Sequence, residues 1–95
     1  MFIITVTYLK PLSDVDQHLS AHREFLKKGY EQKLLLASGP QNPRTGGIII
    51  ARGNDRKKVL EFLAQDPFKQ NGIAEYQLTE FEPVLFAEEI KNILK

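Results

Sequence analysis

The sequence predicts an α+β domain with the element order βαββαβ, and three observations predict it. Four short apolar runs rich in strand-forming residues lie at 2–9, 34–39, 47–52 and 74–82. Two stretches with helical periodicity, 13–33 and 54–65, separate the first run from the second and the third from the fourth. A chain of 95 residues, 42% apolar and 26% charged, fits a single globular domain, residues 1–95, with no room for a second.

Strand one, "FIITVTYL", is dense in β-branched and aromatic residues and stops at Lys10–Pro11. The first helix, "SDVDQHLSAHREFLKKGYEQK", takes its N-cap oxygen from Ser13 or Asp14 and gathers lysines toward its end. Its apolar stripe runs Val15, Leu19, Leu26, with Phe25 alongside, and His22 fills the gap. Strands two and three flank the loop of "LLLASGPQNPRTGGIIIARG", whose Gly46 and Gly47 suit a hairpin with positive backbone dihedrals. The second helix, "NDRKKVLEFLAQ", is capped by Asn54 or Asp55 and turns Val59, Leu60, Phe62 and Leu63 inward. Pro67 disfavours helical geometry at Asp66 and ends it there. In strand four, "AEYQLTEFE", the alternation of Tyr76 and Leu78 changes phase before Phe81, which predicts a bulge. Residues 84–95 carry Phe86, Ile90, Ile93 and Leu94 on one helical face and predict a C-terminal tail helix.

This order is the split-βαβ pattern of ferredoxin-like folds, a four-stranded antiparallel sheet with both helices on one face. Phe2, Ile3 and Ile4 are consecutive, as are Ile48, Ile49 and Ile50, so two strands are apolar on both faces. A sheet covered on one side alternates apolar with polar residues. Burial of the second face by another copy, in a homodimer or a higher oligomer built on it, is the expected remedy.

Several classes are disfavoured by composition. The absence of cysteine excludes disulfides, thiolate metal sites and a cysteine nucleophile. A net charge of +1 gives no phosphate-neutralising surface, and "GIIIARG" lacks the paired aromatics on which bases stack, so no nucleic acid is expected. No run reaches the length of a membrane span and "MFIITVTYLK" lacks signal-peptide features, so no membrane is expected and the cytoplasm is the default.

His22 followed by "LLLASGP" at 34–40, "GGIII" at 46–50, "DPF" at 66–68 and "GI" at 72–73 resembles the YciI-like, or YCII-related, family over residues 2–83. The resemblance implies a dimeric ferredoxin-like α+β barrel with a His–Asp pair in a cleft. It places the histidine at His22 and the aspartate of the DP motif at Asp66. The chain departs from the family at Gln32, where a glycine ordinarily closes the first helix. A non-glycine residue in a left-handed cap costs on the order of 1 kcal/mol. The tail from residue 84 lies outside the resemblance.

Imidazole is the side chain whose ordinary range suits proton transfer near neutral pH, and a carboxylate on its second nitrogen fixes tautomer and orientation. On spacing alone, a histidine in an apolar stripe is more often a hydrogen-bonded core residue and an aspartate before proline a turn former. The resemblance is what turns His22 and Asp66 into a catalytic pair. His18 and His22 have a metal-compatible i,i+4 spacing, but "HLSAH" lacks the metallopeptidase glutamate and no third ligand is evident, so no metal is expected. Ser38, Gly39 and Pro40 border the cleft as substrate contacts, with a turn-capping hydroxyl the plainer reading of Ser38. Arg44 is either an anion-attracting group or a solvated loop charge. Two functions follow: a cofactor-free enzyme performing elimination or isomerisation on a small cyclic or anionic metabolite, or a non-catalytic small-ligand-binding or accessory module on the same fold.

Overall fold

The computed structural model describes residues 1–94, leaving Lys95 outside the described residues. The elements are β1 (Phe2–Tyr8), α1 (Leu12–Glu31), β2 (Leu35–Pro40), β3 (Gly46–Ala51), α2 (Arg56–Leu63), α3 (Pro67–Gln70) and β4 (Ala74–Glu80). The four strands form one antiparallel sheet in the order β2-β3-β1-β4, the ferredoxin-like arrangement.

Strand alternation decides what each face carries. Phe2, Ile4 and Val6 of β1 pair with Ala51, Ile49 and Gly47 of β3. Phe2, Ile4, Val6, Ile49 and Ala51 are all buried, in one core with Val15, Phe25 and Leu26 of α1 and Val59, Phe62 and Leu63 of α2. Ile3, Ile48 and Ile50 have the opposite parity and are only half-buried on the face the helices leave uncovered. The consecutive isoleucines therefore do put apolar side chains on both faces.

Several local expectations change. The N-cap of α1 is Pro11, with no side-chain cap; its carbonyl accepts from the N–H groups of Asp14 and Val15. At the other end, Gln32 is helical and Lys33 takes the left-handed conformation, at φ 59°. The Leu34 N–H donates to the Gly29 carbonyl and the Lys33 N–H to that of Tyr30, a Schellman closure with lysine where glycine is usual. Helix α2 is capped by Asp55, which accepts from the Lys58 N–H, and Leu60 points outward, 45% exposed. The sheet irregularity lies in β2, between Leu35 and Ala37, while β4 pairs regularly with β1 and ends at Glu80 before Phe81.

Gly46 and Gly47 do not have positive φ; Gly53 and Gly72 do. Gly46 is needed for a different reason: a Cβ there would lie 1.8 Å from the Val6 carbonyl oxygen of the adjacent strand. Over its described residues, 84–94, the tail is not an α-helix. Glu88–Ile90 form one 3₁₀ turn, and Val84 and Leu85 are 77% and 92% exposed. A short amphipathic segment without a surface for its apolar face gains too little to repay helix nucleation.

Candidate active site

Asp66 stands between α2 and α3, in extended geometry, with Pro67 at the first helical position. Its carboxylate caps α3 by accepting the Phe68 N–H at 3.0 Å. The same group, fully buried, faces the Nδ1 of His22 on α1, 2.8 Å from one oxygen and 2.9 Å from the other. The Tyr76 hydroxyl of β4 donates to its second oxygen. An ionised carboxylate only accepts, so three donors converge on it and the His22 proton belongs on Nδ1. That leaves Nε2, with its lone pair, as the ring nitrogen available to the cleft. Burial and the adjacent Asp66 carboxylate push the Tyr76 phenol well above the ordinary tyrosine range, so it stays a donor.

The imidazole is fixed in plane as well as at its edge. It stacks on Phe68 with centroids 3.9 Å apart and planes 3° from parallel, and Phe68 is held edge-on by Tyr8 at 6.0 Å. Stacking and the hydrogen bond together oppose ring rotation, which would exchange the two nitrogens.

A cleft of about 350 Å³ opens between α1 and the β2–β3 hairpin, and His22, Ser38, Gly39, Pro40 and Phe68 all line it. The structure thus brings every site residue expected from the sequence to one place, Asp66 lying behind His22. Ser38 shares a 2.6 Å hydrogen bond with the Tyr30 hydroxyl of α1. Arg44 reaches the cleft from the hairpin loop and bonds Asp16 of α1 at 2.5 Å; that bond, with help from Tyr8, raises its affinity for its proton. The sequence gives no site role to Tyr76 or Arg23, and marks Phe68 only as part of "DPF". His18 is half-buried, and among the described residues no group of three or more acidic or histidine side chains is placed to hold a metal ion.

A ferredoxin-like sheet with a buried His–Asp pair at a cleft defines the class of protein. Residues 1–82 match the YCII-related domain, and the chain belongs to that family. It is 27% identical to the uncharacterised protein YjpA of Bacillus subtilis (strain 168) over 66 residues, 70% of this chain and 78% of that one. In structure it is similar to the 5-chloro-2-hydroxyhydroquinone dehydrochlorinase of Burkholderia phenoliruptrix AC1100, solved in complex with 2,5-dihydroxybenzoquinone. That likeness has a TM-score of 0.69 and 18% identity, covering 86% of this chain and 94% of the other. At that identity the likeness concerns the fold.

Proposed function

We propose that this protein is a small cofactor-free enzyme in which His22 transfers a proton to or from a small cyclic or anionic metabolite, in an elimination or isomerisation. The observation that carries the reading is the buried His22–Asp66 pair, 2.8 Å apart, on the wall of a cleft. Nε2 takes a proton from a carbon or hydroxyl beside an electron-withdrawing group. The released electron pair forms a double bond, and either a leaving group departs or the proton returns at another atom. The imidazolium formed at that step is stabilised by the Asp66 carboxylate. Ser38 and the Gly39–Pro40 backbone contact the substrate. The dehydrochlorinase of similar fold supports an elimination, since loss of hydrogen chloride is one.

The working form is a homodimer packed through the uncovered sheet face, where Ile3, Ile48 and Ile50 lie. No helix among the described residues is long and apolar enough to cross a membrane.

The test is a turnover screen over small lactones and halogenated phenols, with His22→Ala as the control. The reading expects turnover that His22→Ala abolishes while the circular dichroism spectrum is kept. Binding without turnover across the screen would favour the accessory-module reading on the same cleft.

A further inference from the structure

The cleft walls carry charge of one sign. Leu19, His22, Arg23 and Leu26 follow one another at helical spacing and all line it, so the Arg23 guanidinium shares a wall with His22. Arg44 enters from the hairpin on the other side, and no aspartate or glutamate is among the lining residues. The rest of the lining is largely apolar, with Val6, Leu19 and Ile49 prominent.

The two arginines differ in what they already hold. Arg44 is paired with Asp16, and this pair is solvent-accessible on both sides, its side chains 35% and 53% exposed. Exposed ion pairs contribute little, so exchange of one carboxylate for another costs little. Arg23 is exposed and has no ion pair or side-chain hydrogen bond among the described residues. A guanidinium beside an apolar wall, without a carboxylate of its own, suits the planar two-oxygen edge of an organic anion.

We propose that the ligand of this cleft is an organic anion whose negative group is held by Arg23, with Arg44 turning from Asp16 to join it. The inference rests on the reading of the cleft as a substrate site and narrows its substrate class from cyclic or anionic to anionic. Anchoring the charge at the guanidiniums leaves the apolar body of the ligand between the Val6–Ile49 wall and His22. Asp16 is then a competitor for Arg44 and not a ligand contact.

The experiment compares benzoate with benzamide, two rings of one shape that differ by a negative charge, in amide chemical-shift titrations of the whole chain. Benzoate is expected to bind about tenfold more tightly or better, the scale of one charge-assisted hydrogen bond. Arg23→Gln, a change at an exposed position, is expected to remove that preference. Asp16→Asn is expected to tighten benzoate severalfold and leave benzamide unchanged. Equal affinities in the unmodified protein, no saturable benzoate binding, or a preference undiminished in Arg23→Gln would each overturn the anion site. Unchanged or weaker benzoate binding in Asp16→Asn would overturn the Arg44 exchange. Because the readout is binding, its failure separates from failure of the enzyme reading. An anion preference with no turnover keeps the site and loses the enzyme, and turnover of neutral compounds alone does the reverse.

Discussion

Replacing Tyr76 with phenylalanine removes one oxygen and little else, which makes it a clean probe of the buried carboxylate. The ring stays against the core, while the second oxygen of Asp66 loses its phenolic donor and keeps only the His22 Nδ1–H at 2.9 Å. Hydrogen bonds to charged groups contribute about 1.5–3 kcal/mol. Tyr76 is only half-buried, so the loss should fall in the lower part of that range, about 1.5–2 kcal/mol near pH 8. The pH dependence has a definite sign. The folded-state value for Tyr76 is raised above its unfolded value by burial and by Asp66. Its contribution is therefore fully present below about pH 10 and falls by about 1.4 kcal/mol per pH unit above it. The difference between the two proteins should accordingly vanish near pH 11–11.5. Urea midpoints of both proteins at pH 8, 10 and 11 measure this, and other titrating groups cancel in the comparison. A difference under about 0.5 kcal/mol at pH 8, or one constant to pH 11, would refute the three-donor description of Asp66.

Lys33→Gly should stabilise the protein by about 0.5–1 kcal/mol in thermal or urea unfolding, because Lys33 occupies the left-handed position of the α1 closure. Gly46→Ala should cost roughly 1–3 kcal/mol, since its methyl group would meet the Val6 carbonyl and the paired strands must part. Ile50→Lys should leave the fold intact by circular dichroism and shift sedimentation equilibrium toward monomer. Ile49→Lys should instead unfold the chain, because Ile49 is buried and Ile50 is not. A folded Ile49→Lys protein, or a dimer unaffected by Ile50→Lys, would count against the assignment of faces.

Periodicity made the four strands and the two main helices legible, because their burial follows spacing in the sequence. The His22–Asp66 pair was legible only through the ordered motifs around it; neither residue reveals by spacing that they meet across 44 positions. Tyr76 was missed because its alternation with Leu78 reads as core, and in β4 both do lie on the helix-covered face. The signal available was a chemical one: a buried carboxylate needs more donors than one imidazole supplies. The tail shows the opposite error. Phe86, Ile90 and Ile93 have helical spacing, but a pattern specifies a helix only where there is a surface to cover, and all three remain exposed. The glycines at 46 and 47 read as turn formers in the sequence, whereas strand-to-strand approach selects Gly46. Sequence reports which residues tolerate crowding, not which neighbour crowds them.

Asp66 serves the fold and the site with the same two oxygens, and this decides which substitution can separate them. Asp66→Ala would leave the Phe68 N–H, the Tyr76 hydroxyl and the His22 Nδ1–H without their acceptor in a buried pocket. At about 1–3 kcal/mol for each unsatisfied group, the total approaches the whole stability of a domain, so lost activity there would say nothing about chemistry. Asp66→Asn behaves differently. Its amide oxygen belongs at the position of the oxygen that accepts from Phe68, since a flipped amide would set N–H against that N–H, and its NH₂ then lies 2.9 Å from His22 Nδ1. The same NH₂ faces the Tyr76 hydroxyl, which can turn to accept. The fold survives, the negative charge behind the imidazole is gone, and the amide NH₂ now opposes a proton on Nδ1. The expected outcome is a folded protein whose His22 proton shifts from Nδ1 toward Nε2 in long-range nitrogen–proton spectra. Its turnover, on any substrate the screen identifies, should fall by about 10²–10⁴ because Nε2 has lost its free lone pair and the imidazolium its counter-charge. Turnover equal to that of the unmodified protein, with the tautomer intact, would mean that Asp66 only orients His22 and that its charge takes no part in the reaction.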